Sequence, residues 1–237
     1  MNSLQIFENK QDLANEAAKR AVDILQEATL QYGSATWVLA GGTTPELAYK
    51  VIATTYLDSL DWSKVMFVMG DERIAPLTSP DNNWHAAEAA LLRHIPGATF
   101  LRPKSDQSAE VARDDYIMQL ESLPKNASGQ PRLDLAWLGV GEDGHTPSLF
   151  PGHPDFTQTD RLVAAIHNSP KPPSNRISLT LHALIGAEHC DILAAGESKA
   201  DAISHALQPD NLLPIAQAAR ATSASWLIDT AAASRLT

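Results

Sequence analysis

One glycine-rich stretch, residues 139–152, places an aspartate and a histidine where proton transfer is chemically feasible. The apolar run 133–138 ends directly in closely spaced glycines, a pattern typical of a buried strand that opens into a tight loop. The loop carries Asp143 and His145. Histidine exchanges protons near neutral pH, and a neighbouring carboxylate can fix its tautomer and raise its basicity. The pair therefore indicates general base catalysis.

Two other interpretations of this loop are open. The spacing of its three glycines matches the fingerprint of dinucleotide-binding loops. That fingerprint requires a helix whose N-terminus holds the pyrophosphate, and Pro147 and Pro151 interrupt any helix here. In the second interpretation, the aspartate and the histidine only stabilise the loop. The catalytic interpretation requires matching groups elsewhere in the chain.

Composition restricts the class of protein. The 237 residues include 44% hydrophobic and 19% charged residues, which is ordinary for a globular protein, and we expect one α/β domain over residues 1–237. The formal net charge of -10 argues against nucleic-acid and anionic-membrane partners, because these need a basic surface. A small anionic ligand is still compatible with the sequence if a few cations converge locally.

The cysteine count and the N-terminus indicate a cytoplasmic protein. The single cysteine, Cys190, excludes an internal disulfide and fits a reducing compartment. The first residues show no basic region followed by an apolar stretch, so we expect no signal peptide. No apolar run approaches the length of a membrane span.

Strand-like and helix-like segments alternate along the chain. We predict strands at residues 4–8, 35–40, 65–69, 99–101, 133–138, 162–166, 177–181, 190–195 and 223–228. We predict helices at residues 12–32, 45–54, 82–94, 108–123, 199–207 and 213–220. This alternation predicts a mostly parallel sheet covered by helices on both faces. Ligands bind such sheets beyond the carboxyl ends of the strands.

The first of these strand ends is a candidate phosphate site. Gly41 and Gly42 let the backbone turn sharply, and Thr43, Thr44 and Pro45 can open a helix. Free amides and hydroxyls would then lie at a helix N-terminus, which favours phosphate binding. The alternative is an ordinary turn between a strand and a helix.

Cationic side chains occur at three further strand-associated positions. Asp71 and Arg73 follow the strand 65–69, where a solvated turn is the alternative. Arg176 would share one face of a strand with Ser178 and Thr180, and arginine suits a bidentate grip on phosphate, although an edge strand with a polar face is equally open. Lys199 follows the strand 190–195, where an ordinary helix start is the alternative.

A serine nucleophile and a metal site are both rejected. Gly196-Glu-Ser198-Lys-Ala200 nearly copies the nucleophile elbow of serine hydrolases. The only later histidine, His205, lies on the same predicted helix, so the sequence cannot build a triad. The histidines are scattered without ligand spacing, and we expect neither a metal nor an organic cofactor.

Together these motifs resemble the 6-phosphogluconolactonase family over most of the chain. The matching elements, in order, are Gly41-Gly42-x-x-Pro45, Asp71-Glu72-Arg73, the segment 139–152 with its His-Thr-x-Ser-Leu-Phe-Pro-Gly sequence, Arg176-x-Ser-x-Thr180 and Gly196-x-x-Lys199. The larger group includes glucosamine-6-phosphate deaminases and ribose-5-phosphate isomerases, and the resemblance implies their Rossmann-like three-layer sandwich. Pro147 departs from the alanine that is usual in the family.

The resemblance implies hydrolysis of 6-phospho-D-glucono-1,5-lactone to 6-phosphogluconate. His145 would be the base and Asp143 would orient it. Gly42, Thr43, Thr44, Asp71, Arg73, Arg176 and Lys199 would bind the substrate. We expect a phosphorylated sugar lactone as the small-molecule partner, and a monomer or a small homo-oligomer. A sugar-phosphate isomerase or deaminase and a non-catalytic sugar-phosphate sensor are the alternatives.

Overall fold

Short apolar runs form a seven-stranded sheet in which every neighbouring pair of strands is parallel. The computed structural model describes residues 3–95, 97–153 and 160–236. In spatial order the strands are β1 (Leu4–Phe7), β10 (Ser225–Asp229), β9 (Ala187–Ala194), β6 (Leu133–Gly139), β2 (Ala35–Leu39), β3 (Val65–Met69) and β5 (Thr99–Leu101). The prediction of a mostly parallel sheet is confirmed.

Helices cover both faces of this sheet. They are α1 (Lys10–Tyr32), α2 (Thr43–Val51), α3 (Asn83–Ala90), α4 (Ala109–Glu121), α5 (Leu181–Leu184), α6 (Ala200–Ala206) and α7 (Pro214–Ala221). Successive strand residues point to opposite faces, so Trp37 and Trp137 join the core under the first three helices, whereas Val38 and Leu138 join the core under α4, α6 and α7. The result is three layers with one large apolar core on each face of the parallel sheet.

Two predicted strands and one predicted turn form a second sheet. β4 (Asp71–Arg73), β8 (Arg176–Leu179) and β7 (Val163–Ile166) pair antiparallel in the order β4-β8-β7. The alternative of a solvated turn at residues 71–73 is wrong, because Asp71 and Glu72 are buried. Inclusion of residues 162–166 and 177–181 in the parallel sheet is also wrong. The small sheet continues from the end of β3 through Gly70, whose N–H donates to the carbonyl of Leu39 at 2.9 Å.

The predicted helices differ from the observed ones mainly at their ends. The helix predicted at residues 45–54 ends at Val51 as an α-helix and continues as a single π-helical turn, Ile52–Tyr56. The helix predicted at residues 82–94 is α3 followed by a short 3-10 turn, Leu92–His94. Among residues 3–95, 97–153 and 160–236, no helix is long and apolar enough to cross a membrane.

Candidate active site

The loop that follows β6 folds back on itself and holds His145 over Gly141. The N–H of Gly144 donates to the carbonyl of Gly141 at 2.9 Å, and the N–H of Gly141 donates to the carbonyl of His145 at 3.0 Å. A β-carbon at Gly141 would lie 2.0 Å from Nδ1 of His145, far inside van der Waals contact. Glycine at position 141 therefore leaves the space that the imidazole occupies.

Asp143 and His145 form a direct hydrogen bond. Oδ1 of Asp143 lies 2.5 Å from Nδ1 of His145, and the imidazole packs against the ring of Phe150 with centroids 4.5 Å apart. Burial lowers the pKa of His145 and outweighs the opposite effect of Asp143. Burial opposes ionisation of Asp143, but its hydrogen bond and attraction to His145 prevail, so the pKa of this carboxyl is lowered. At neutral pH the pair is therefore a carboxylate beside a neutral imidazole that can accept a proton.

The small antiparallel sheet brings four polar side chains to one face. Asp71 lies opposite Ser178 in the ladder between β4 and β8, and Arg73 lies opposite Arg176. These positions alternate with Glu72 and Ile177, which point to the other face. Like charges directly opposite each other are unfavourable, so the nearby Asp71 carboxylate compensates for the two guanidinium groups.

The two arginines differ in what their guanidinium groups bind. Arg176 is buried, and its Nε and Nη2 donate to the carbonyls of Pro173, Lys171 and Pro172 at 3.0–3.1 Å. Arg73 donates from Nη1 to the carbonyl of Asp81 at 2.7 Å, but its buried Nε has no hydrogen-bond partner among the described residues. Arg73 therefore lines the cavity without holding the loop at residues 171–173, whereas Arg176 holds that loop. Burial lowers the pKa of Arg176, against the attraction of Asp71.

The turn between β2 and α2 forms another wall of the site. Gly42 has φ 102°, which favours glycine, and a β-carbon at Gly41 would lie 2.1 Å from Oδ1 of Asn83. The hydroxyl of Tyr49 fixes the start of the turn, because it accepts from the N–H of Ala40 at 3.0 Å and donates to the Ala40 carbonyl at 2.9 Å. The backbone N–H and the carbonyl of the buried residue Ala40 thus both bond to one side chain.

Replacing Tyr49 with phenylalanine is expected to lower the free energy of unfolding by about 1–3 kcal/mol. The reason is that the N–H and carbonyl of Ala40 would stay buried without this partner. Denaturant titration followed by circular dichroism measures the change. Tyr32→Phe, at an exposed tyrosine, is the matched control and should change stability by less than about 0.5 kcal/mol. Equal stabilities of the Tyr49→Phe variant and the wild type would contradict the bracing role.

Lys199 reaches the site from the turn between β9 and α6. Gly196 adopts φ 97° there, and its N–H donates to the carboxylate of Asp229 at 3.0 Å, which anchors the turn to β10. Burial lowers the pKa of Lys199, while the attraction of Glu142 opposes this effect. The ammonium group is therefore partly withdrawn from solvent.

These elements surround a cavity of about 460 Å³, a volume suited to a small metabolite. Of the residues predicted from sequence, those that line it are Gly42, Asp71, Arg73, His145, Arg176 and Lys199. Asp143 stands behind His145, as an orienting residue would. Thr43 and Thr44 begin α2 but are not among the lining residues, and the Thr43 hydroxyl accepts from Nζ of Lys10 at 2.7 Å. The functional roles of all these residues stay predictions.

Comparison with known proteins decides the family. The family model of glucosamine-6-phosphate isomerases/6-phosphogluconolactonase matches residues 8–226. The chain belongs to this family. A 6-phosphogluconolactonase of Streptomyces coelicolor is 37% identical over 98% of this chain and 94% of its own length. One of Mycobacterium leprae is 32% identical over 99% of this chain and 98% of its own length.

Solved structures of the family share the architecture. The 6-phosphogluconolactonase of Trypanosoma brucei superposes with a TM-score of 0.90 at 27% identity, over 100% of this chain and 99% of that chain. A monomeric glucosamine-6-phosphate deaminase has a TM-score of 0.81 at 21% identity, over 98% of this chain and 99% of that chain. The second likeness shows that the deaminase has the same fold, so the fold alone does not separate the two activities.

The sequence argument missed two polar side chains among the described residues that line the cavity. Lys171 comes from the loop that follows β7, and Asn83 is the first residue of α3. The only local signal for Lys171 is a cation within a proline-rich loop. Nδ2 of Asn83 donates to the carbonyl and to Oδ1 of Asp71 at 3.1 and 3.2 Å, a contact between segments that no local pattern indicates.

Glu72 positions Asn83 from the opposite face of β4. Its carboxylate accepts from the backbone N–H groups of Arg73, Asn83 and Trp84 at 2.7–2.8 Å. Burial raises the pKa of Glu72 to about 7, although these three hydrogen bonds oppose the rise. A buried carboxylate thus fixes the N-terminus of α3 against the small sheet. No group of three or more metal-ligating side chains occurs within residues 3–95, 97–153 and 160–236.

Proposed function

We propose that the protein hydrolyses 6-phospho-D-glucono-1,5-lactone to 6-phospho-D-gluconate, the second step of the oxidative pentose phosphate pathway. The observation that carries this proposal is the position of the Asp143–His145 pair beside a cavity lined by four cationic side chains, Arg73, Lys171, Arg176 and Lys199. A general base can activate water for attack on the ester of the lactone, and the cations can bind its phosphate. Relatives named for this activity support the assignment.

His145 supplies the general base in the proposed reaction. Because Asp143 occupies Nδ1, Nε2 is the nitrogen that takes a proton from water. The water oxygen bonds to the lactone carbonyl carbon, and the carbonyl oxygen becomes an oxyanion. When the bond between that carbon and the ring oxygen breaks, the ring oxygen takes the proton back from the imidazolium. The product is a carboxylic acid, which ionises, and the enzyme returns to its starting state.

The cations stabilise the two negative charges in this scheme. The phosphate is present throughout, whereas the oxyanion develops only in the transition state, and preorganised donors stabilise such developing charge. Lys171 and Lys199 line the cavity as point charges, and the guanidinium of Arg73 lines it as well. Gly42 and the start of α2 add the partial positive charge of a helix N-terminus.

The decisive experiment is the decay of 6-phosphogluconolactone with and without the protein, corrected for spontaneous hydrolysis. Acceleration that saturates with the lactone is the expected result. Ammonia release from glucosamine 6-phosphate is measured in parallel, because the deaminase shares the fold. Ammonia release without lactone hydrolysis would replace the proposal with a deaminase. Binding of either sugar phosphate without any turnover would indicate a sensor.

Asp143→Asn is expected to change the pH profile of kcat/KM in a defined direction. The neutral imidazole is the active form. Because burial lowers the pKa of His145 from the usual value of about 6.5, the wild-type rate should fall only when the pH drops below that usual value. Asp143 raises the pKa of His145, so its replacement should move this acidic limb to lower pH. The plateau should fall on the order of a hundredfold, since the amide can favour the wrong tautomer. An acidic limb that moves to higher pH in Asp143→Asn would contradict the role of Asp143 as the partner of the base His145.

Several expectations about context stay predictions. The buried single cysteine, Cys190, is compatible with a reducing, cytoplasmic location. The net charge of -10 supports the absence of nucleic-acid and anionic-membrane partners. A single domain, a monomer or small homo-oligomer, and a reaction without metal or cofactor complete the proposal.

A further inference from the structure

Ser148 has no role in the reaction described above, yet its hydroxyl lies between two charged residues of the site. None of its surface is exposed to solvent. Its Oγ donates a short hydrogen bond to Oδ2 of Asp71 and accepts one from Nη1 of Arg176 at 3.3 Å. One neutral hydroxyl thus bridges a carboxylate and a guanidinium that both line the cavity.

The backbone of Ser148 is anchored independently of its hydroxyl. Its N–H donates to Oγ of Ser178 at 3.2 Å, and Oγ of Ser178 donates to the carbonyl of Leu179 at 2.9 Å. The loop is therefore attached to β8 even when the hydroxyl of Ser148 is removed. The contact with the two charges can be tested apart from the attachment of the loop.

The remaining bonds of the two charged residues show what the hydroxyl maintains. Oδ1 of Asp71 accepts from Asn83, and Arg176 uses Nε and Nη2 to hold the loop at residues 171–173. With the bond to Ser148, four of the five N–H groups of Arg176 have partners in the described part of the chain, and one on Nη1 is left for a ligand.

Removal of the hydroxyl would change how the two charges interact. Asp71 and Arg176 are 6% and 3% exposed, and opposite charges attract strongly where solvent screening is weak. Without a hydroxyl between them, the guanidinium can close on the carboxylate as a direct ion pair. The carboxylate and the guanidinium would then bond to each other and no longer point towards a bound substrate.

We propose that Ser148 is a positioning residue for substrate binding, whose hydroxyl keeps Asp71 and Arg176 apart and directed into the cavity. Asp71 then accepts from a hydroxyl of the sugar ring, and Nη1 of Arg176 donates to an oxygen of the substrate. This inference rests on the proposed lactonase function. It assigns to Ser148 an effect on binding, because the base His145 and its partner Asp143 are held by a different set of bonds.

Ser148→Ala is the first test, with steady-state kinetics on 6-phosphogluconolactone. KM should rise about tenfold or more, since a hydrogen bond to a charged group is lost on each side, while kcat should change less than about threefold. Ser178→Ala is the matched control. It removes an equally buried serine hydroxyl that bonds the loop but bonds neither charged side chain, and its KM should stay near the wild-type value. Equal KM values for the two variants would overturn the inference.

A double-mutant cycle separates positioning from a general structural defect. If Ser148 acts through Asp71, adding Ser148→Ala to Asp71→Asn should lower kcat/KM little further. Multiplicative losses would overturn the inference. If Ser148→Ala does not fold, Ser148→Cys keeps a weak donor of similar size, and the same cycle with this variant decides in the same way.

Affinity for 6-phosphogluconate keeps the inference separate from the proposed function. Isothermal titration calorimetry on the wild type, Ser148→Ala and Ser178→Ala requires no turnover. A wild type that binds 6-phosphogluconate but does not hydrolyse the lactone would overturn the reaction, and weaker binding by Ser148→Ala alone would still support the positioning role. A wild type that neither binds nor hydrolyses would overturn both.

Discussion

Replacing His145 with alanine is expected to lower kcat for 6-phosphogluconolactone by about a hundredfold or more. General base catalysis contributes roughly this amount, and the variant lacks the group that takes the proton from water. KM should change much less, because Arg73, Lys171 and Lys199 line the cavity independently of the imidazole. The measurement is the initial rate of acid production at saturating lactone, corrected for spontaneous hydrolysis.

The control for this variant is another histidine outside the cavity. His205 is exposed on α6, and His205→Ala should retain the wild-type kcat. Thermal unfolding of both variants checks that the fold is intact. Near-normal turnover by His145→Ala would remove this residue from the role of base and would leave the cations alone to explain any acceleration.

The sequence predicted the parallel sheet and its loops because these features are local. An apolar run followed by closely spaced glycines identifies the end of β6, and similar transitions identify the ends of β2 and β9. Carboxyl ends of parallel strands lie at the same edge of a sheet, so Gly42, His145 and Lys199 could be expected near one another without knowledge of the strand order.

The small sheet could not be predicted, because its pairing joins distant segments. Nothing near residues 71–73 indicates that they pair with residues 176–178, and a charged triplet after a strand is usually a solvated turn. This pairing brings Arg73 and Arg176 to the same cavity. It also places Lys171 there, since Arg176 holds the loop that carries this lysine.

Contacts between side chains at the start of α2 could not be predicted from the sequence either. The glycines and Pro45 correctly indicate a turn and a helix start. They do not indicate that Lys10, at the start of α1, donates to the hydroxyl of Thr43. A contact between two helix starts depends on their packing, so it could not enter the prediction of Thr43 as a substrate ligand, which used its hydroxyl, its place at a strand end and the family resemblance.

Gly141→Ala is expected to lower kcat on the order of a hundredfold while the protein stays folded. A β-carbon at this position would lie 2.0 Å from Nδ1 of His145 and 2.6 Å from Oδ1 of Asp143. Both atoms belong to side chains, so the imidazole and the carboxylate can move away without disruption of the backbone. A displacement of about 1 Å at a reacting group can cost a hundredfold in rate.

Gly139→Ala is the matched control, because it adds the same methyl group two residues earlier, at the last residue of β6. Its β-carbon would meet the carbonyl oxygen of Gly41 at 3.8 Å, an ordinary van der Waals distance, so its loss of kcat should be much smaller. Circular dichroism and thermal unfolding should show folded protein for both variants. An unfolded Gly141→Ala variant would mean that the loop backbone itself requires glycine at this position. A folded and fully active variant would mean that proton transfer does not depend on the observed position of the imidazole. Loss of kcat in a folded Gly141→Ala variant, with activity largely kept in Gly139→Ala, would show that this glycine is required because the imidazole must lie directly above it.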